Sequence, residues 1–599
     1  MAVNLRNKTA IAGVCSLLLV AMVVAVIFGG QTKNEPDDPS TISSSQKAIA
    51  NLCHNTDYRE TCVDTLTSSS GGNNATSDPN ELIERAFRAT INDIRQAAQN
   101  SSLFLDLTQD PRGKSALDSC QELAGRAAAD LERSLDKFAA GLDFATLDDV
   151  LSDLKIWLSG AITYQETCLD GFEGIEGDAG ERMRSLLTRG MQMTSNGLAM
   201  VNEISSVFQS IGAPTLSSNR RLLMQLSDAE IIPDWVDAGR RRLLMNNASA
   251  KIEADIVVAK DGTVQGDYFT AKDIAFENYA GAEKHQAVAL RVSADLVLFH
   301  NCRMDGYQDT LYAHTYRQFY RNCTITGTID FVFGDSAAIF QDCTFVVRKP
   351  LPNQSCIVTA QGRKDIRQPT GLVLQNCSFI ADPDYFPLRH TNKAYLGRPW
   401  KEFSRTIILE SFLDDLIQPQ GWLPWNETFA LDTLFYTEFN NRGPAASKAG
   451  RVTWAGVKEL PASRIRRFTA DEFIDGKRWV PVQGIPYAGG FMLPIPAKDE
   501  NAGAYSPVVP EEDKDIGGSK DKSEYIGKNK PSASKVPTTS IAAAPESSYV
   551  AVASPSPLPS PYNNNNNNED TTVAAASSPA SSPALQSGKT DSGSFFGLW

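Results

Sequence analysis

Short apolar runs that end in the same polar turn recur through the second half of the chain. The four clear copies are "LFHNCRM" from 298, "FYRNCTI" from 319, "IFQDCTF" from 339 and "VLQNCSF" from 373. A weaker copy, "TAKDIAF" from 270, has Ile274 in the place of the cysteine. Apolar runs of this length, each bounded by a turn residue, predict buried β-strands that repeat as one strand-turn unit.

The spacing of these copies predicts how the strands stack. The cysteine position recurs in steps of 28, 21, 20 and 34 residues. Such steps are typical of a parallel β-helix, in which each coil lies on the previous one and longer steps add loops on one face. The alternative is a β-sandwich whose strands resemble one another by chance. We expect the β-structure to occupy residues 251–498.

The first half of the chain has helical periodicity instead. Examples are "ELIERAFRATINDIRQAA" from 81 and "RMRSLLTRGMQMTSNGLAMVNEI" from 182, and the helical domain is expected over residues 41–205. Between the two domains, 206–250 forms a linker with the near-copies "NRRLL" and "RRRLL". The resulting dibasic pairs are Arg220 with Arg221 and Arg241 with Arg242, which we interpret as processing sites.

The two ends of the chain have other compositions. Residues 10–29 form an uncharged apolar run after Arg6 and Lys8, so 1–30 is expected to be a secretory signal peptide or a signal anchor that holds the chain transiently in a membrane. Residues 499–599 are rich in Ser, Pro and Asn and predict a disordered tail. Sequons follow the apolar run at Asn74, Asn100, Asn247, Asn322, Asn353, Asn376 and Asn426, so a secreted glycoprotein is expected.

Secretion makes disulfides the expected state of the cysteines. Cys53, Cys62, Cys120 and Cys168 lie in the helical domain and suggest two bridges. Cys302, Cys323 and Cys343 would stack on neighbouring coils, close enough to bridge if their side chains face correctly. With Cys356 and Cys377 the β-region has five cysteines, so at least one thiol stays free.

Charge differs between the two domains. Residues 47–205 contain 25 acidic against 14 basic side chains, a net charge of −11, whereas 253–498 contain 27 of each. The neutral β-region would repel a polyanionic substrate less than the whole chain would, although acidic helix surfaces commonly serve only solvation. Neither region is basic enough to indicate nucleic acid as a partner.

A pair of carboxylates carries the candidate chemistry. Asp309 in "GYQDTLY" and Asp330 in "GTIDFVFGD" are 21 residues apart, the interval that also separates Cys302 from Cys323. If that interval is one coil, the two carboxyl groups are stacked neighbours. Two such groups in a partly dry groove share a proton, which provides one acid and one nucleophile or base. The alternative is an exposed aspartate ladder that holds water or a cation.

Further side chains fit the same place. Gln286 precedes Gln308 by 22 residues, and two stacked amides could donate hydrogen bonds to an oxyanion. In "AYLGRPWKE", Arg398 could hold one aspartate as its anion, and Trp400 offers a flat face for a sugar ring.

Together these strings resemble plant pectin methylesterases with an amino-terminal inhibitor-like pro-region. The esterase-like strings are "HQAVALR", "GYQDTLY", "DFVFG" and "LGRPW", and the inhibitor-like string is "LCHNTDYRETC". The resemblance implies a four-helix bundle, then a right-handed parallel β-helix. It also implies hydrolysis of the methyl esters of pectin in the cell wall, or apoplast, with no metal or other cofactor, and an auto-inhibitory helical domain that a subtilisin-like protease removes at the dibasic sites.

The resemblance also implies roles for individual residues. Asp330 would attack the ester carbonyl, Gln308 and Gln286 would stabilise the oxyanion, and Asp309 would protonate methanol and then activate water. Arg398 would orient Asp330, and Trp400 would line the sugar groove. The family also pairs the cysteines that match Cys323 and Cys343.

One departure from the family concerns the start of the β-region. "IVVAKDG" at 256–262 is joined to "GDYFTAKDIAFEN" through Thr263, Val264 and Gln265, where the family has some eighty more residues. The loss of these coils is expected to expose a strand edge and an apolar stack.

Three functions therefore compete: a pectin methylesterase, a glycosidase or lyase on a similar β-helix, and a catalytically impaired variant that binds pectin or inhibits other pectin methylesterases through its helices. The adjacent Gln308 and Asp309, with Arg398 and Trp400, fit ester hydrolysis best.

Overall fold

Six helices precede nineteen strands in the computed structural model, which describes residues 43–68, 76–99, 110–140, 146–210 and 262–496. All of these residues belong to one compact unit. The apolar run at 10–29, the four linker arginines (Arg220, Arg221, Arg241 and Arg242) and the tail lie outside the described ranges. No helix within those ranges is long and apolar enough to cross a membrane.

Four long helices confirm the predicted bundle. Two short helices, α1 and α2, come first, and the long helices α3 to α6 follow. The bounds are α1 Ser44–Leu52, α2 Arg59–Ser68, α3 Pro79–Ala98, α4 Pro111–Ala139, α5 Leu147–Asp170 and α6 Ala179–Ser210. Asp78 and Asp110 accept hydrogen bonds from first-turn backbone N–H groups, which fixes where α3 and α4 begin. The last helix runs five residues past the predicted domain end at 205, into the segment expected to be linker.

Disulfides join the helices as the cysteine count suggested. Cys53 is bonded to Cys62 and Cys120 to Cys168, with Cα atoms 5.7 and 4.5 Å apart. The second bridge ties α4 to α5. A bridge between elements 48 residues apart restricts the unfolded chain and so favours the folded bundle.

The β-region is a right-handed parallel β-helix with three sheets, as predicted. Every pair of neighbouring strands in the three sheets is parallel. Sheet A contains β1 Thr263–Val264, β4 Leu290–Val292, β7 Leu311–Ala313, β10 Val332–Gly334, β13 Cys356–Gln361 and β16 Ala394–Gly397. Sheet B contains β2 Thr270–Lys272, β5 Val297–His300, β8 Arg317–Arg321, β11 Ala337–Gln341, β14 Gly371–Gln375, β17 Arg405–Leu409 and β19 Phe435–Phe439. Sheet C contains β3 Ala275–Glu277, β6 Arg303–Asp305, β9 Thr324–Gly327, β12 Thr344–Val347, β15 Ser378–Ala381 and β18 Phe412–Leu413.

The remaining elements are short helices, two of them between strands and the others after the last strand. They are the α-helices α7 Ala462–Ile465, α8 Ala470–Phe473 and α9 Gly476–Trp479, and the 3₁₀ turns Ala282–Lys284, Phe386–Leu388, Arg466–Phe468 and Pro481–Gln483. Trp479 of α9 belongs to one apolar cluster with Phe319 and Ile339 on sheet B. Residues after the last strand therefore help to bury one outer face of the β-helix.

The recurring polar residue before each cysteine bends the chain from sheet B to sheet C. Asp273, Asn301, Asn322, Asp342 and Asn376 all have φ between 52° and 58°. Asn and Asp adopt this left-handed conformation more readily than other residues with a side chain, which explains their place in the repeat. Side-chain hydrogen bonds also connect successive coils, as from Asn322 Nδ2 to Asn301 Oδ1 at 3.2 Å.

The cysteines after these bends correct one expectation. Cys323 and Cys343 are free, buried thiols on adjacent coils. Cys302, Cys356 and Cys377 are also free and buried. The disulfide implied for Cys323 and Cys343 is therefore absent from this structure. The Cys323 sulfur lies 3.4 Å from the carbonyl oxygen of Arg321 and 3.5 Å from that of Phe299 on the preceding coil, and the Cys343 sulfur lies at the same distances from those of Gln341 and Tyr320. Each thiol therefore has backbone acceptors within reach on its own coil and on the preceding one.

The first coil of the described β-region consists of β1, β2 and β3. Each of these is the end strand of its sheet. Ile274 is 41% exposed and Tyr279 90% exposed. The predicted apolar exposure is nevertheless only partial, because Val264, Phe269 and Ala271 are buried. These side chains point into the interior between the sheets, where the next coil covers them.

Candidate active site

The two aspartates stand on adjacent coils of sheet A, as their spacing predicted. Leu311 pairs with Val332, so Asp309 and Asp330, each two residues before its strand, are also one coil apart. Both have left-handed backbones, with φ of 63° and 50°. One coil earlier, Gln286 forms a parallel bridge with Gln308. The repeat therefore aligns two amides and two carboxyl groups at the entrance to sheet A.

Asp309 is placed so that it holds a proton. Its side chain is buried, and burial raises the pKa well above the ordinary value of 3.8. The neighbouring Asp330 raises the pKa of Asp309 further, and Arg398 only partly opposes these effects. A carboxyl group in this setting is a proton donor at pH values where an exposed aspartate is ionised.

Asp330 is held as the anion by a two-point ion pair. Arg398 Nε lies 2.9 Å from Asp330 Oδ1, and Arg398 Nη2 lies 2.5 Å from Oδ2. Although burial lowers the pKa of Arg398, the attraction of Asp330 outweighs it and raises that pKa overall. The guanidinium also lies over the Trp425 ring, 4.2 Å from its centroid. The pair of aspartates is therefore divided into one acid and one anion.

A cavity of about 420 Å³, partly open to solvent, contains these groups. Every predicted catalytic and substrate-binding residue lines it, together with three that sequence reasoning missed. The lining is Gln286, Gln308, Asp309, Asp330, Arg398 and Trp400, joined by Phe333, Ala360 and Trp425. Phe333 could have been found, because it is the outward position of a strand in the quoted "DFVFG". Trp425 follows an irregular loop, and no spacing rule connects it with the repeat.

The floor of the cavity is aromatic. Phe333 stacks on Tyr312 with ring centroids 4.3 Å apart, and Trp400 meets both rings edge-on at 5.9 and 6.3 Å. Tyr312 and Phe333 pair across β7 and β10, so their side chains share the outer face of sheet A. Flat apolar faces beside a few convergent polar groups suit a sugar ring with a reactive substituent.

Helix α5 borders this floor. Thr167 Oγ1 lies 2.9 Å from His314 Nε2, and Thr163 Oγ1 donates to Asp335 Oδ2 at 2.7 Å. His314 and Asp335 occupy turns between sheet A and sheet B, immediately after the strands that carry the aromatic floor. The helical domain is thus packed along the edge of the groove.

In the described residues, no group of three or more His, Cys, Asp or Glu side chains is arranged to hold a metal ion. The groups that converge in the cavity are instead carboxyl, amide, guanidinium and aromatic. This set can attack a carbonyl carbon, stabilise a developing oxyanion and protonate a leaving group.

Comparisons with known proteins agree with both domains. The Pectinesterase family profile matches residues 243–477, and the Plant invertase/pectin methylesterase inhibitor profile matches 47–200. Pectinesterase/pectinesterase inhibitor 28 of Arabidopsis thaliana is 43% identical over 562 residues, covering 81% of this chain and 75% of the relative. Pectinesterase/pectinesterase inhibitor 21 of the same plant is 42% identical, covering 84% and 86%. Among solved structures, pectin methylesterase from carrot is 46% identical over 38% of this chain and 72% of its own, with a TM-score of 0.38.

Proposed function

The chain belongs to the family of pectinesterases that carry a pectinesterase-inhibitor domain, and from this premise we propose that Asp330 and Asp309 hydrolyse the methyl esters of pectin. The protein is a carboxylic-ester hydrolase with an inhibitor-like helical domain. The assignment of individual catalytic roles rests on the geometry of the cavity. Its main support is the division of two stacked aspartates into a buried acid and an arginine-paired anion.

In the first half-reaction, an Asp330 oxygen attacks the carbonyl carbon of the methyl ester. The amides of Gln308 and Gln286 donate hydrogen bonds to the oxyanion that forms. When the tetrahedral intermediate collapses, Asp309 gives its proton to the methoxy oxygen and methanol leaves. The galacturonosyl acyl group then remains bound to Asp330 as an anhydride.

In the second half-reaction, the now ionised Asp309 takes a proton from water as that water attacks the acyl carbon. Collapse of this intermediate releases the free carboxyl group of the sugar and restores the Asp330 carboxylate. Both aspartates return to their starting states. The sum of the two steps is hydrolysis of one ester to one acid and one methanol.

The helical domain acts in this proposal as an auto-inhibitory pro-region. Its helix α5 contacts the rim of the groove through Thr167 and Thr163. A subtilisin-like protease would cut at Arg220–Arg221 or Arg241–Arg242 and so permit release. The free helical domain could then bind other pectin methylesterases through the same surface.

We further propose secretion to the cell wall, with transient anchoring by residues 10–29 before cleavage. Two disulfides within the helical domain support passage through an oxidising compartment. The sequon asparagines Asn353 and Asn426 are exposed and accessible to glycosylation. Recovery of a wall-bound fragment that begins near Leu222 or Leu243 would support this route, whereas active full-length protein alone in the wall would contradict it.

The activity is tested by giving the purified full chain highly methylated pectin, before and after cleavage of the linker. An esterase releases methanol without lowering the viscosity, whereas a glycosidase or lyase shortens the polymer. Asp330→Asn should lower methanol release by at least about a hundredfold, because an amide cannot form the acyl intermediate. Persistence of more than about a tenth of the rate would refute the assignment of the nucleophile.

A folded, cleaved chain that releases no methanol would support the competing function as an impaired variant. In that case the helical domain is tested against an active pectin methylesterase. Inhibition at micromolar concentration would then identify it as an inhibitor of other esterases.

A further inference from the structure

An arginine from a later coil holds the catalytic turn, residues 306–310, which connects β6 to β7 and includes Gln308 and Asp309. We propose that Arg348 is a positioning residue for ester hydrolysis, because its guanidinium fixes this turn and with it the Gln308 amide and the Asp309 carboxyl group. The inference rests on the proposed pectinesterase activity. Arg348 belongs to none of the sequence motifs that indicated the active site.

The guanidinium of Arg348 makes three contacts with two successive residues of the catalytic turn. Its Nη1 donates to the carbonyl oxygen of Gly306 at 3.0 Å, and its Nη2 donates to the hydroxyl oxygen of Tyr307 at 2.9 Å. Its Cζ also lies over the Tyr307 ring, 4.0 Å from the centroid. A guanidinium is planar and presents its donors in a fixed fork, so these contacts fix both the backbone and the side-chain direction of the turn.

Arg348 reaches the catalytic turn across an intervening coil. It directly follows β12, and its own backbone N–H donates to the carbonyl oxygen of Gly327 on the coil before. Gly306 directly follows β6, one coil earlier still. A Cβ at Gly327 would lie 2.7 Å from the Tyr307 carbonyl oxygen, so the turns of these coils are in direct contact. Close packing of this kind transmits a displacement from one turn to the next.

The backbone of the catalytic turn needs such support. Asp309 has φ 63°, a conformation that a residue with a side chain keeps only where its surroundings enforce it. The Asp309 N–H donates to the carbonyl oxygen of Ile329 at 3.0 Å, and the Tyr307 carbonyl oxygen accepts from the Thr328 N–H at 2.8 Å. Arg348 adds a side-chain hold where the chain enters the turn, immediately before Gln308.

Arg348 acts through the turn and not on the substrate. The lining of the catalytic cavity includes Gln308 and Asp309 but not Arg348. Stabilisation of an oxyanion and transfer of a proton both depend on the placement of donor and acceptor, and a misplacement of about 1 Å can cost about a hundredfold in rate. The aromatic floor that would bind the sugar does not include Arg348. Its loss is therefore expected to lower kcat with little effect on KM.

Three substitutions and one control test this role in the full chain with its linker cleaved. Arg348→Met removes the guanidinium but keeps an apolar stem, Arg348→Lys keeps the charge without the fork, and Tyr307→Phe removes the hydroxyl partner. Arg389→Met is the matched control. Arg389 also donates to a backbone carbonyl oxygen, that of Phe386 at 2.9 Å, and lies 3.9 Å from the centroid of the Phe386 ring, but it is outside the cavity.

The kinetic test uses one highly methylated pectin. Arg348→Met should lower kcat by about ten- to thirtyfold and change KM by less than about twofold. Arg348→Lys should recover part of this loss, with kcat about threefold below the parent, because a charge stays over the ring. Tyr307→Phe should also lower kcat about threefold, and adding it to Arg348→Met should cause no further loss, since both remove the same contact. Arg389→Met should match the parent.

The pH dependence of kcat separates positioning from a general loss of folded protein. Asp309 must carry its proton in the first half-reaction, so kcat falls as the pH rises through the pKa of Asp309. Burial and the neighbouring Asp330 raise that pKa, and Arg398 opposes them. A loosened turn admits water to Asp309 and lowers its pKa, so in Arg348→Met the fall of kcat should move to lower pH by at least about half a pH unit. Loss of folded protein alone would lower the rate at every pH without that shift.

Amide hydrogen exchange tests the turn without turnover. Arg348→Met should speed exchange in residues 306–311 by about tenfold, while Arg389→Met should leave it unchanged. Unchanged exchange in both variants would overturn the hold of Arg348 on the turn. Faster exchange in Arg348→Met with the kcat and pH profile of the parent would refute the positioning role.

The two proposals fail separately. If the parent chain releases no methanol, faster exchange in Arg348→Met would leave Arg348 as a residue that holds the turn and would refute the esterase. Methanol release by the parent that Arg348→Met does not slow would leave the esterase and refute the positioning role. If Arg348→Met does not fold, Arg348→Lys and Tyr307→Phe decide the outcome, because both keep nearly the native side-chain volume.

Discussion

Asp309 combines a catalytic advantage with a cost in stability. A carboxyl group whose pKa is raised by folding binds its proton more tightly in the folded chain than in the unfolded one. The stability that the protonated Asp309 adds to the folded chain is fully present below pH 3.8, the ordinary pKa of an aspartate. It is lost as the pH rises through the raised pKa of Asp309. Above that value, a buried anion lies beside the Asp330 anion.

Asp309→Asn is therefore expected to raise the free energy of unfolding at pH 7, while the difference from the parent chain should shrink to nothing below pH 3.8. Denaturant unfolding at several pH values measures this. Asp384→Asn, at an exposed aspartate, should change stability little at any pH. A stability difference for Asp309→Asn that does not vary with pH would contradict the buried, protonated state.

Arg398 positions the other aspartate, and its geometry predicts a rate effect. Arg398→Lys keeps the charge but loses the two-point contact with Asp330 and the stacking on Trp425. We expect kcat to fall by about ten- to a hundredfold with KM changed less than about twofold, because the nucleophile loses its orientation.

Arg389→Lys is the matched control for this prediction. Arg389 makes a similar two-point pair with Asp415, but outside the cavity. Its replacement should leave kcat unchanged. Steady-state kinetics on one pectin preparation compares the two variants, and the role of Arg398 is rejected if both retain the parent kcat.

At the scale of elements, the left-handed bends determine where each coil turns. Asn301 has φ 53°, donates through its amide to Asp273 and accepts from Asn322. Asn301→Ala should lower the free energy of unfolding by about 1–2 kcal/mol, because alanine is strained in this conformation.

Asn301→Gly separates backbone strain from the lost hydrogen bonds. Glycine accepts positive φ without a steric penalty, so it should lose roughly half as much stability as alanine. Urea midpoints and slopes of the two variants provide the comparison. A glycine variant less stable than the alanine variant would show that the bend is not what selects asparagine.

The elements also show which features the sequence can predict. The interval of 20 or 21 residues between clear repeat copies determined the register of β8 and β11, and the same interval aligned Asp309 with Asp330. These relations are local, because a buried strand, its turn and its neighbour one coil away are specified by short-range patterns. The repeat could not place Trp425, since the path of the preceding loop depends on contacts distant in sequence.

The thiols show a second limit. Stacking brought Cys323 and Cys343 to equivalent positions, as expected, but proximity did not determine their bonding. Each thiol stays free, with backbone carbonyl oxygens as its hydrogen-bond acceptors. The direction of a buried side chain depends on the packing around it, and the sequence pattern does not contain that information.

At the scale of the whole molecule, the helical domain forms hydrogen bonds with the turns between sheets A and B. Tyr316 donates to Asp130 of α4 at 2.8 Å, and Ser195 of α6 donates to Asp365 at 2.5 Å. Composition predicted an acidic helical domain beside a neutral β-region. The sequence could not show that several of these acids face the β-helix, because docking brings together residues more than a hundred positions apart.

One of these contacts joins two guanidinium groups to Asp153 of α5. Its Oδ1 lies 2.9 Å from Arg317 and 2.5 Å from Arg478, and Arg317 is buried. Asp153→Ala removes a shared anion from both guanidinium groups, although Arg317 keeps its pair with Asp295 at 2.6 Å. We expect docking of the helical domain to weaken by about 3 kcal/mol, the lower end for breaking a buried pair.

If docking restrains the enzyme, Asp153→Ala should raise methanol release by the uncleaved chain severalfold and speed amide hydrogen exchange in α5. Asp149→Ala is the matched control, since Asp149 is half exposed and lies 3.6 Å from Arg478, so its loss should cost less than about 1 kcal/mol. Faster exchange without higher activity would mean that the helices are bound to the groove edge but do not inhibit. Identical behaviour of the two variants would remove Asp153 from the docking contact. Weakened docking with raised activity would instead show that Asp153 helps to restrain catalysis by Asp309 and Asp330. Asp153 is more than 150 residues from Asp309 in the sequence.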